Sequence, residues 1–144
     1  MDSEKPRPVR HAEIALWVWT VWICAFGAYD AVQSLPEIEP IMASQLQGLA
    51  TIDHTTLLES VIAGYAFLAL TSVWVIWRIG AGKNWARASV LVGFILEAVW
   101  CAVPPYGGYR AFFLAIPDFG LQAYALYLLY TEPGASWFNQ KHEH

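Results

Sequence analysis

The sequence predicts an all-α fold, a transmembrane four-helix bundle formed by residues 1–144 as one integral membrane domain. Of the 144 residues, 57% are hydrophobic and 14% are charged, whereas soluble domains carry about a quarter charged residues. Four apolar runs are each long enough to cross a hydrocarbon layer of about 30 Å as a helix. These predicted spans are residues 12–32, 56–77, 85–103 and 110–130.

The basic residues are segregated to one side of this four-span arrangement. Only Arg110 falls on the opposite side from the other seven, which are Lys5, Arg7, Arg10, Arg78, Lys83, Arg87 and Lys141. The positive-inside bias therefore places both tails, residues 1–11 and 131–144, and the connection 78–87 in the cytoplasm. With a net charge of −4, the chain lacks the basic face that nucleic-acid binding requires.

The first span is followed by an acidic connection, residues 33–55, that contains no Lys or Arg. We expect Leu35-Pro36 to end the first helix, since proline disrupts a helix interior. Apolar residues then recur near helical spacing at Ile41, Met42, Leu46, Leu49 and Ile52. This pattern predicts a short amphipathic helix on the outer membrane surface, with an ordinary folded loop as the alternative.

The third span carries the clearest indication of orientation in the membrane. It also contains Glu97, the residue whose placement in the hydrocarbon layer costs the most free energy. It opens with Lys83, Trp85 and Arg87, and Pro104-Pro105 end it. Its single acid, Glu97, lies about 15 Å from Arg87 at the helical rise per residue, and so lies within the hydrocarbon layer. The flanking aromatic residues predict an inner belt at Trp74, Trp77, Trp85, Trp137, Tyr127 and Tyr130. Cys24 and Cys101 each lie in an apolar run and are interpreted as small packing residues.

Four carboxylates, one from each predicted span, fall in the outer half of the bundle. They are Asp30, Glu59, Glu97 and Asp118. An acid inside the membrane costs about 2.5 kcal/mol or more, so it faces a cavity or a partner. Asp30 and Glu59 lie near the surface, and interfacial capping is the alternative for both. The candidate site residues are Glu97, Asp118, Gln122, Asp30, Glu59, Arg110 and His54.

Small and polar residues at helical spacing predict which helix faces meet. Three stripes are present: Ser89 with Gly93 and Glu97, Asp118 with Gln122, and Ser60 with Gly64. Because small residues let helices approach closely, we expect all three stripes to face the bundle interior. The predicted result is an outward-facing polar cavity that aromatic packing closes towards the cytoplasm.

Pro117 precedes Asp118 inside the fourth span and predicts a kink there. If the kink were a break, Asp118 would lie in the first turn of a half-helix whose positive end favours the carboxylate. The alternative is a packing kink with Asp118 bonded to a neighbouring helix.

Two short motifs, GKNWAR at residues 82–87 and EPGASWF at residues 132–138, resemble those of small four-span bacterial membrane proteins with GxNWAR-like and PxxxWF-like signatures. The resemblance implies a compact four-helix bundle in the bacterial inner membrane, and it implies no activity. Both motifs are interpreted as membrane anchors and helix-packing devices. The sequence has no Glu-x-x-His, HExxH or GxSxG motif, so no cofactor or metal site is predicted.

Three functions are compatible with this pattern. The first, which the sequence favours, is a non-enzymatic multi-pass protein. Its acidic cavity binds a small amphiphilic or cationic ligand as part of a transport process. The second is an interaction subunit of a larger membrane complex, with Glu97 or Asp118 paired to a partner. The third is a membrane-embedded enzyme that uses the two acids on a lipid-like substrate. Expected partners are membrane lipid, the small ligand, and further copies or subunits.

Overall fold

The computed structural model describes residues 5–45, 53–102 and 109–140. These residues are almost all helical and include no strand, which confirms the predicted all-α class. The elements are α1 (Arg7–Trp22), a π-helical segment (Ile23–Gly27), α2 (Ala28–Gln45), α3 (His54–Gly80), α4 (Asn84–Ala102), α5 (Tyr109–Tyr130) and α6 (Gly134–Gln140). Since α1, the π-helical segment and α2 follow one another without a break, the described residues form five separate helices.

The first helix is longer than the sequence predicts. The expectation that Leu35-Pro36 ends it is wrong, because Pro36 and Pro40 both lie inside α2, which continues to Gln45. Both prolines are exposed, so water can reach the carbonyl groups that lose their helical N–H partners. From Arg7 to Gln45 the rod is roughly 58 Å long at the helical rise.

The predicted amphipathic helix in the first connection is tested only in part. Ile41 and Met42 belong to α2, while Leu46, Leu49 and Ile52 lie outside the described residues. The same applies to Pro104-Pro105 and to the C-terminal residues 141–144.

Capping residues fix both ends of α3. At its start, Asp53 accepts hydrogen bonds from the Thr56 hydroxyl (2.6 Å) and the Thr56 backbone N–H (2.9 Å). These two bonds hold the pKa of the Asp53 carboxyl below its usual value. At its end, Gly82 has a φ of 73°, and the backbone N–H of Lys83 donates to the Arg78 carbonyl. This Schellman arrangement turns the chain into α4 within three residues.

The buried core lies at the end of the bundle where α1 starts, α3 ends, α4 starts and α5 ends. Its members are Val9, Ala12, Ala15, Leu16, Ile76, Ile79, Ala86, Ala125, Leu129, Trp137 and Phe138. Trp137 is only 5% exposed, so it packs in this core and not in the predicted aromatic belt. The basic residues Lys5, Arg78 and Arg87 lie at the same end, which we call the basic end.

The two short motifs of the sequence meet at the basic end. The Arg87 guanidinium carbon lies 4.8 Å from the Tyr130 ring centre and 4.9 Å from that of Phe138. Its Nε donates to the Asn84 side chain, and Nη1 lies 3.4 Å from the Leu129 carbonyl. Arg87 therefore ties the start of α4 to the end of α5 and to α6, a helix-packing role that agrees with the interpretation of both motifs.

Two helices in the described part of the chain are long and apolar enough to cross a membrane. They cover residues 7–41 and His54–Gly80. Of their most apolar stretches, only 22% and 11% of residues are buried inside the bundle. Their apolar side chains therefore point mostly outwards, unlike those of a core helix in a soluble protein.

Candidate functional site

Three of the predicted site residues come together where α4 and α5 pack. Asp118 and Gln122 lie one turn apart on α5 and are 6% and 3% exposed, while Glu97 on α4 is half-buried. The Gln122 amide nitrogen lies 2.5 Å from Glu97 Oε2 and 3.2 Å from Asp118 Oδ1. An amide has two N–H donors, so Gln122 bridges the two carboxylates.

A fourth side chain reaches this cluster from α1. The Trp19 indole N–H donates to Asp118 Oδ1. An indole N–H has no acceptor function, and inside an apolar layer it needs a partner as much as the carboxylate does. We call Trp19, Glu97, Asp118 and Gln122 the polar cluster. It joins three helices through side chains.

The helical rise places the polar cluster at one depth. Glu97 lies about 15 Å along α4 from Arg87, and Asp118 lies about 16 Å along α5 from Leu129. Arg87 and Leu129 are themselves in contact at the basic end. The two acids therefore stand at matching heights, some 15 Å into the bundle.

Two phenylalanines close in sequence to the acids of the polar cluster pack together between α4 and α5. Phe94 on α4 and Phe119 on α5 meet edge to face with ring centres 5.6 Å apart.

Helix α5 is continuous across Pro117, so Asp118 does not lie at the start of a half-helix. Of the two alternatives at this position, Asp118 bonded to a neighbouring helix is the one observed.

Neither acid of the polar cluster pairs with a basic side chain that the structure describes, and the side chain of Arg110 is not among these. The two ion pairs in this part of the chain are Lys5 with Glu13 and His54 with Glu39. The Gln122 amide nitrogen lies within hydrogen-bond distance of both acids, so Glu97 Oε2 and Asp118 Oδ1 lie close together. Like charges at that separation do not both persist in an apolar layer unless a proton or another cation joins them.

Three of the other predicted site residues, Asp30, Glu59 and His54, are not brought to the polar cluster. Asp30 is half-buried on α2, roughly 16 Å along the rod from Trp19. Glu59 is exposed on α3. His54 Nδ1 lies 3.4 Å from Glu39 Oε2, an exposed contact between α3 and α2. Arg110 is helical, but its side chain lies outside the described residues, as does that of Cys101.

Four members of two predicted stripes face outwards. Ser89 and Gly93 on α4 are exposed, as are Ser60 and Gly64 on α3. No atom lies within 4 Å of where a side chain on either glycine would begin. The prediction that these four residues face the bundle interior is wrong, since small residues permit close packing without determining the side. Glu97, the third member of the α4 stripe, is half-buried and contacts Gln122 of α5. The stripe of Asp118 and Gln122 is buried as predicted.

Sequence reasoning also missed two aromatic residues that carry a polar group. One is Trp19 of the polar cluster. The other is Tyr65 on α3, which packs against the π-helical segment, so that a Cβ on Gly27 would lie 3.0 Å from its hydroxyl. In both cases the sequence shows an aromatic residue with an N–H or O–H group inside an apolar span, and such a group needs a hydrogen-bond partner when it is buried.

A groove of about 520 Å³ lies away from the polar cluster, between the start of α1 and the end of α3. The predicted outward-facing cavity stays a prediction. Within the described residues, no group of three or more His, Cys, Asp and Glu side chains could hold a metal ion.

Comparisons with models of protein families, with curated proteins and with solved structures find no match for this chain. The resemblance to small four-span bacterial membrane proteins therefore stays a prediction.

Proposed function

We propose that this chain is a four-span protein of the bacterial inner membrane, with both termini in the cytoplasm. Its polar cluster binds the cationic group of a small amphiphilic ligand that enters from the outer side, as one step of a transport process. The single observation that carries the proposal is the Glu97–Asp118 pair. Its two acids are bridged by Gln122, and neither is paired with a basic side chain that the structure describes.

The membrane part of the proposal is supported by the outward-facing apolar surface of α3. Phe67 and Leu70 are 72% and 71% exposed. The sequence around them is apolar on every side, and only 11% of its most apolar stretch is buried. A soluble monomer rarely exposes a contiguous apolar surface on this scale, whereas lipid covers it at no cost.

The choice of a cationic ligand follows from charge balance. Burying two carboxylates without a counter-charge is strongly unfavourable, so the pair takes up a proton or a cation. A primary ammonium group has three donors and can reach both carboxylates. The contacting rings of Phe94 and Phe119, close in sequence to the two acids, suit an apolar tail.

The outer route of entry is supported by where the bundle is densely packed. Trp137, Phe138 and Leu129 fill the basic end and are at most 5% exposed. By the positive-inside bias, the basic end faces the cytoplasm. A ligand therefore reaches Glu97 more easily from the opposite side or laterally from the outer leaflet.

The proposal is tested with dodecylamine, which is cationic at neutral pH, and with uncharged dodecanol as the matched probe. The full chain is placed in lipid nanodiscs with 5-fluorotryptophan, and the Trp19 fluorine resonance is assigned by its loss in Trp19→Phe. We expect dodecylamine to shift this resonance in a saturable way and dodecanol to leave it unchanged.

The matched variants are Glu97→Gln and Glu59→Gln. Removing the charge of Glu97 should weaken dodecylamine binding by about tenfold or more. Glu59 is an exposed acid of α3, so its variant should bind like the natural chain. Equal responses to dodecylamine and dodecanol, or unchanged binding in Glu97→Gln, would contradict the proposal.

The second candidate is an interaction subunit of a membrane complex. Ser89 and Gly93 favour it, because they leave an open strip on the outer face of α4, on the same side of the helix as half-buried Glu97. A partner helix could approach closely there. Loss of a co-purifying protein in Gly93→Leu, with dodecylamine binding absent from the natural chain, would favour this candidate over the first.

A further inference from the structure

The basic residues of the chain lie away from the depth of the polar cluster. Along α4 the nearest one to Glu97 is Arg87, about 15 Å away at the helical rise. Along α5 the nearest one to Asp118 is Arg110, about 12 Å away by the same measure. The first two predicted spans contain no Lys or Arg. The two acids therefore have no basic residue at their own depth, and their charge is balanced by whatever binds to them.

The neighbours of the two acids carry few groups of the kind that titrates between pH 5 and pH 8. The π-helical segment carries the thiol of Cys24, while α3 and α5 carry the phenols of Tyr65 and Tyr124. Thiols and phenols ordinarily titrate at higher pH. Histidine ordinarily titrates within this range, but His11 and His54 are exposed near the two ends of the bundle. Proton uptake at the cluster in this range is therefore a property of the two acids.

The hydrogen bonds of the polar cluster distinguish its two acids. Asp118 Oδ1 accepts two N–H donors, one from the Trp19 indole and one from the Gln122 amide. In the described part of the chain, Glu97 accepts only the Gln122 amide, at Oε2. N–H donors stabilise an ionised carboxylate. Asp118 is also 6% exposed, whereas Glu97 is half-buried, so Glu97 is the acid that a proton or a ligand reaches.

We propose that the polar cluster is an exchange site, in which the cationic group of the ligand displaces a proton from Glu97. The inference rests on the cation site proposed above. In the empty cluster Asp118 is ionised and Glu97 holds the proton on Oε1, because Oε2 accepts the Gln122 amide. When the ammonium group binds, the Glu97 O–H bond breaks and the proton passes to water. One positive charge has replaced another, so the net charge of the cluster does not change.

The cost of charge in an apolar layer makes the two occupants exclusive. Two ionised acids without a cation would repel each other and lose their hydration. A proton on Glu97 and a cation beside Glu97 need the same carboxylate, so the cluster does not hold both. Binding of the ligand therefore requires release of the proton, and uptake of a proton expels the ligand. This exclusion couples movement of the ligand to movement of a proton in the opposite direction.

The test is the pH dependence of dodecylamine binding to the full chain in phosphatidylcholine nanodiscs between pH 5 and pH 8. An alkyl ammonium group keeps its proton throughout this range, as lysine does, so a pH dependence belongs to the protein. We expect the affinity to rise with pH, by up to about tenfold per unit, because protons compete with the ligand at low pH. Calorimetry in buffers of different ionisation enthalpy should show up to about one proton released per bound ligand.

The matched variants are Glu97→Gln and His54→Gln. An amide has nearly the shape of a protonated carboxyl group, so Glu97→Gln keeps the cluster in its proton-loaded form. It should remove the pH dependence and the proton release from the binding that remains. His54→Gln removes an exposed group of the kind that titrates in the same range, and it should leave both effects unchanged.

A second measurement detects the proton without any ligand. The infrared spectrum of the empty natural chain at pH 6 should show the carbonyl band of a protonated carboxyl group. This band should be lost in Glu97→Gln, kept in Glu59→Gln, and removed from the natural chain by saturating dodecylamine. It decides the question even if Glu97→Gln binds no ligand.

Binding that is equally strong from pH 5 to pH 8, with no proton released, would overturn the inference and leave the proposed cation site in place. Loss of the pH dependence in His54→Gln, or a protonated-carboxyl band that persists in Glu97→Gln, would also overturn it. Absence of dodecylamine binding at every pH would overturn the proposed function and this inference together.

Discussion

At the scale of single residues, Trp19 supplies a hydrogen-bond donor to Asp118, and Asp118 supplies an acceptor to Trp19. The indole N–H has nothing else to donate to within an apolar layer, and the carboxylate needs donors to offset its burial. Their bond also fixes the rotation of α1 against α5. The pair therefore contributes to both the stability and the geometry of the polar cluster.

We predict a measurable coupling between these two residues. Trp19→Phe should lower the free energy of unfolding by about 1–2 kcal/mol, because it leaves a buried acceptor with one donor fewer. A double-mutant cycle of Trp19→Phe with Asp118→Ala should give a coupling energy of about 1 kcal/mol. Unfolding in mixed detergent micelles, followed by circular dichroism, measures it.

The control for this cycle is Trp17→Phe, which alters an exposed indole of the same helix that lines the groove. Its coupling to Asp118→Ala should be indistinguishable from zero. A Trp19 coupling no larger than that of Trp17 would mean that the indole N–H is not bonded to Asp118 in the membrane.

Residues of the site differ in how far the sequence could predict them. Glu97, Asp118 and Gln122 were predictable because depth and helical spacing follow directly from position in the chain. Trp19 was not, since choosing it over Trp17 or Trp22 requires the rotation of α1 about its axis. Asp30 and Glu59 were predicted to share the outer half of the bundle with Glu97, but depth alone does not say which acids converge.

At the scale of helices, the rod of α1 and α2 shows where local rules are overridden. Proline normally ends a helix in its interior, yet the rod continues through Pro36 and Pro40. The rod is roughly 58 Å long while the hydrocarbon layer is about 30 Å thick. In the proposed membrane placement its last turns, with Glu37 and Glu39, extend beyond the apolar layer, where water satisfies the carbonyls that proline leaves unpaired.

Two glycines of α5 and α6 are predicted to respond in opposite ways to alanine. At Gly134 a Cβ would collide with the Leu128 carbonyl, whereas at Gly120 no atom lies within 4 Å. Gly134→Ala should destabilise by about 1–3 kcal/mol, since α6 must move away from α5. Gly120→Ala should stabilise by about 0.5–1 kcal/mol, the usual helix preference for alanine.

The free energies of unfolding of the two alanine variants, measured side by side in one detergent, check this prediction. A neutral Gly134→Ala variant would show that α6 does not pack against the Leu128 carbonyl. It would also mean that Phe138 of α6 is not held against Arg87, which would contradict the contact between the two sequence motifs.

At the scale of the whole molecule, the chain divides into a densely packed basic end and an opposite end that carries most of the acids. The all-α class and the apolar character of the first two long helices follow from composition and periodicity, and both are observed. Which faces meet is less predictable, as the outward-facing Ser60 and Gly64 show. In an apolar solvent a hydrophobic pattern does not distinguish the inside from the outside of a bundle.

We predict that the two ends of the bundle lie on opposite sides of the membrane. With Cys24 and Cys101 replaced by serine, single cysteines are introduced by Ser44→Cys at the end of α2 and Lys83→Cys in the turn before α4. In spheroplasts, a membrane-impermeant maleimide should label Ser44→Cys at once and Lys83→Cys only after permeabilisation. The reverse pattern would show that the topology is inverted. Labelling of both cysteines without permeabilisation would show that the two ends do not lie on opposite sides of the membrane.

The measurement that tests the central claim most directly is a double-mutant cycle on ligand affinity. Dodecylamine binding is measured in nanodiscs for the natural chain, Glu97→Gln, Asp118→Asn and the double variant. If both acids hold one cation, each single change should remove most of the affinity and the double variant should lose little more. Losses that simply add, or binding that survives in the double variant, would contradict a shared cation site at Glu97 and Asp118.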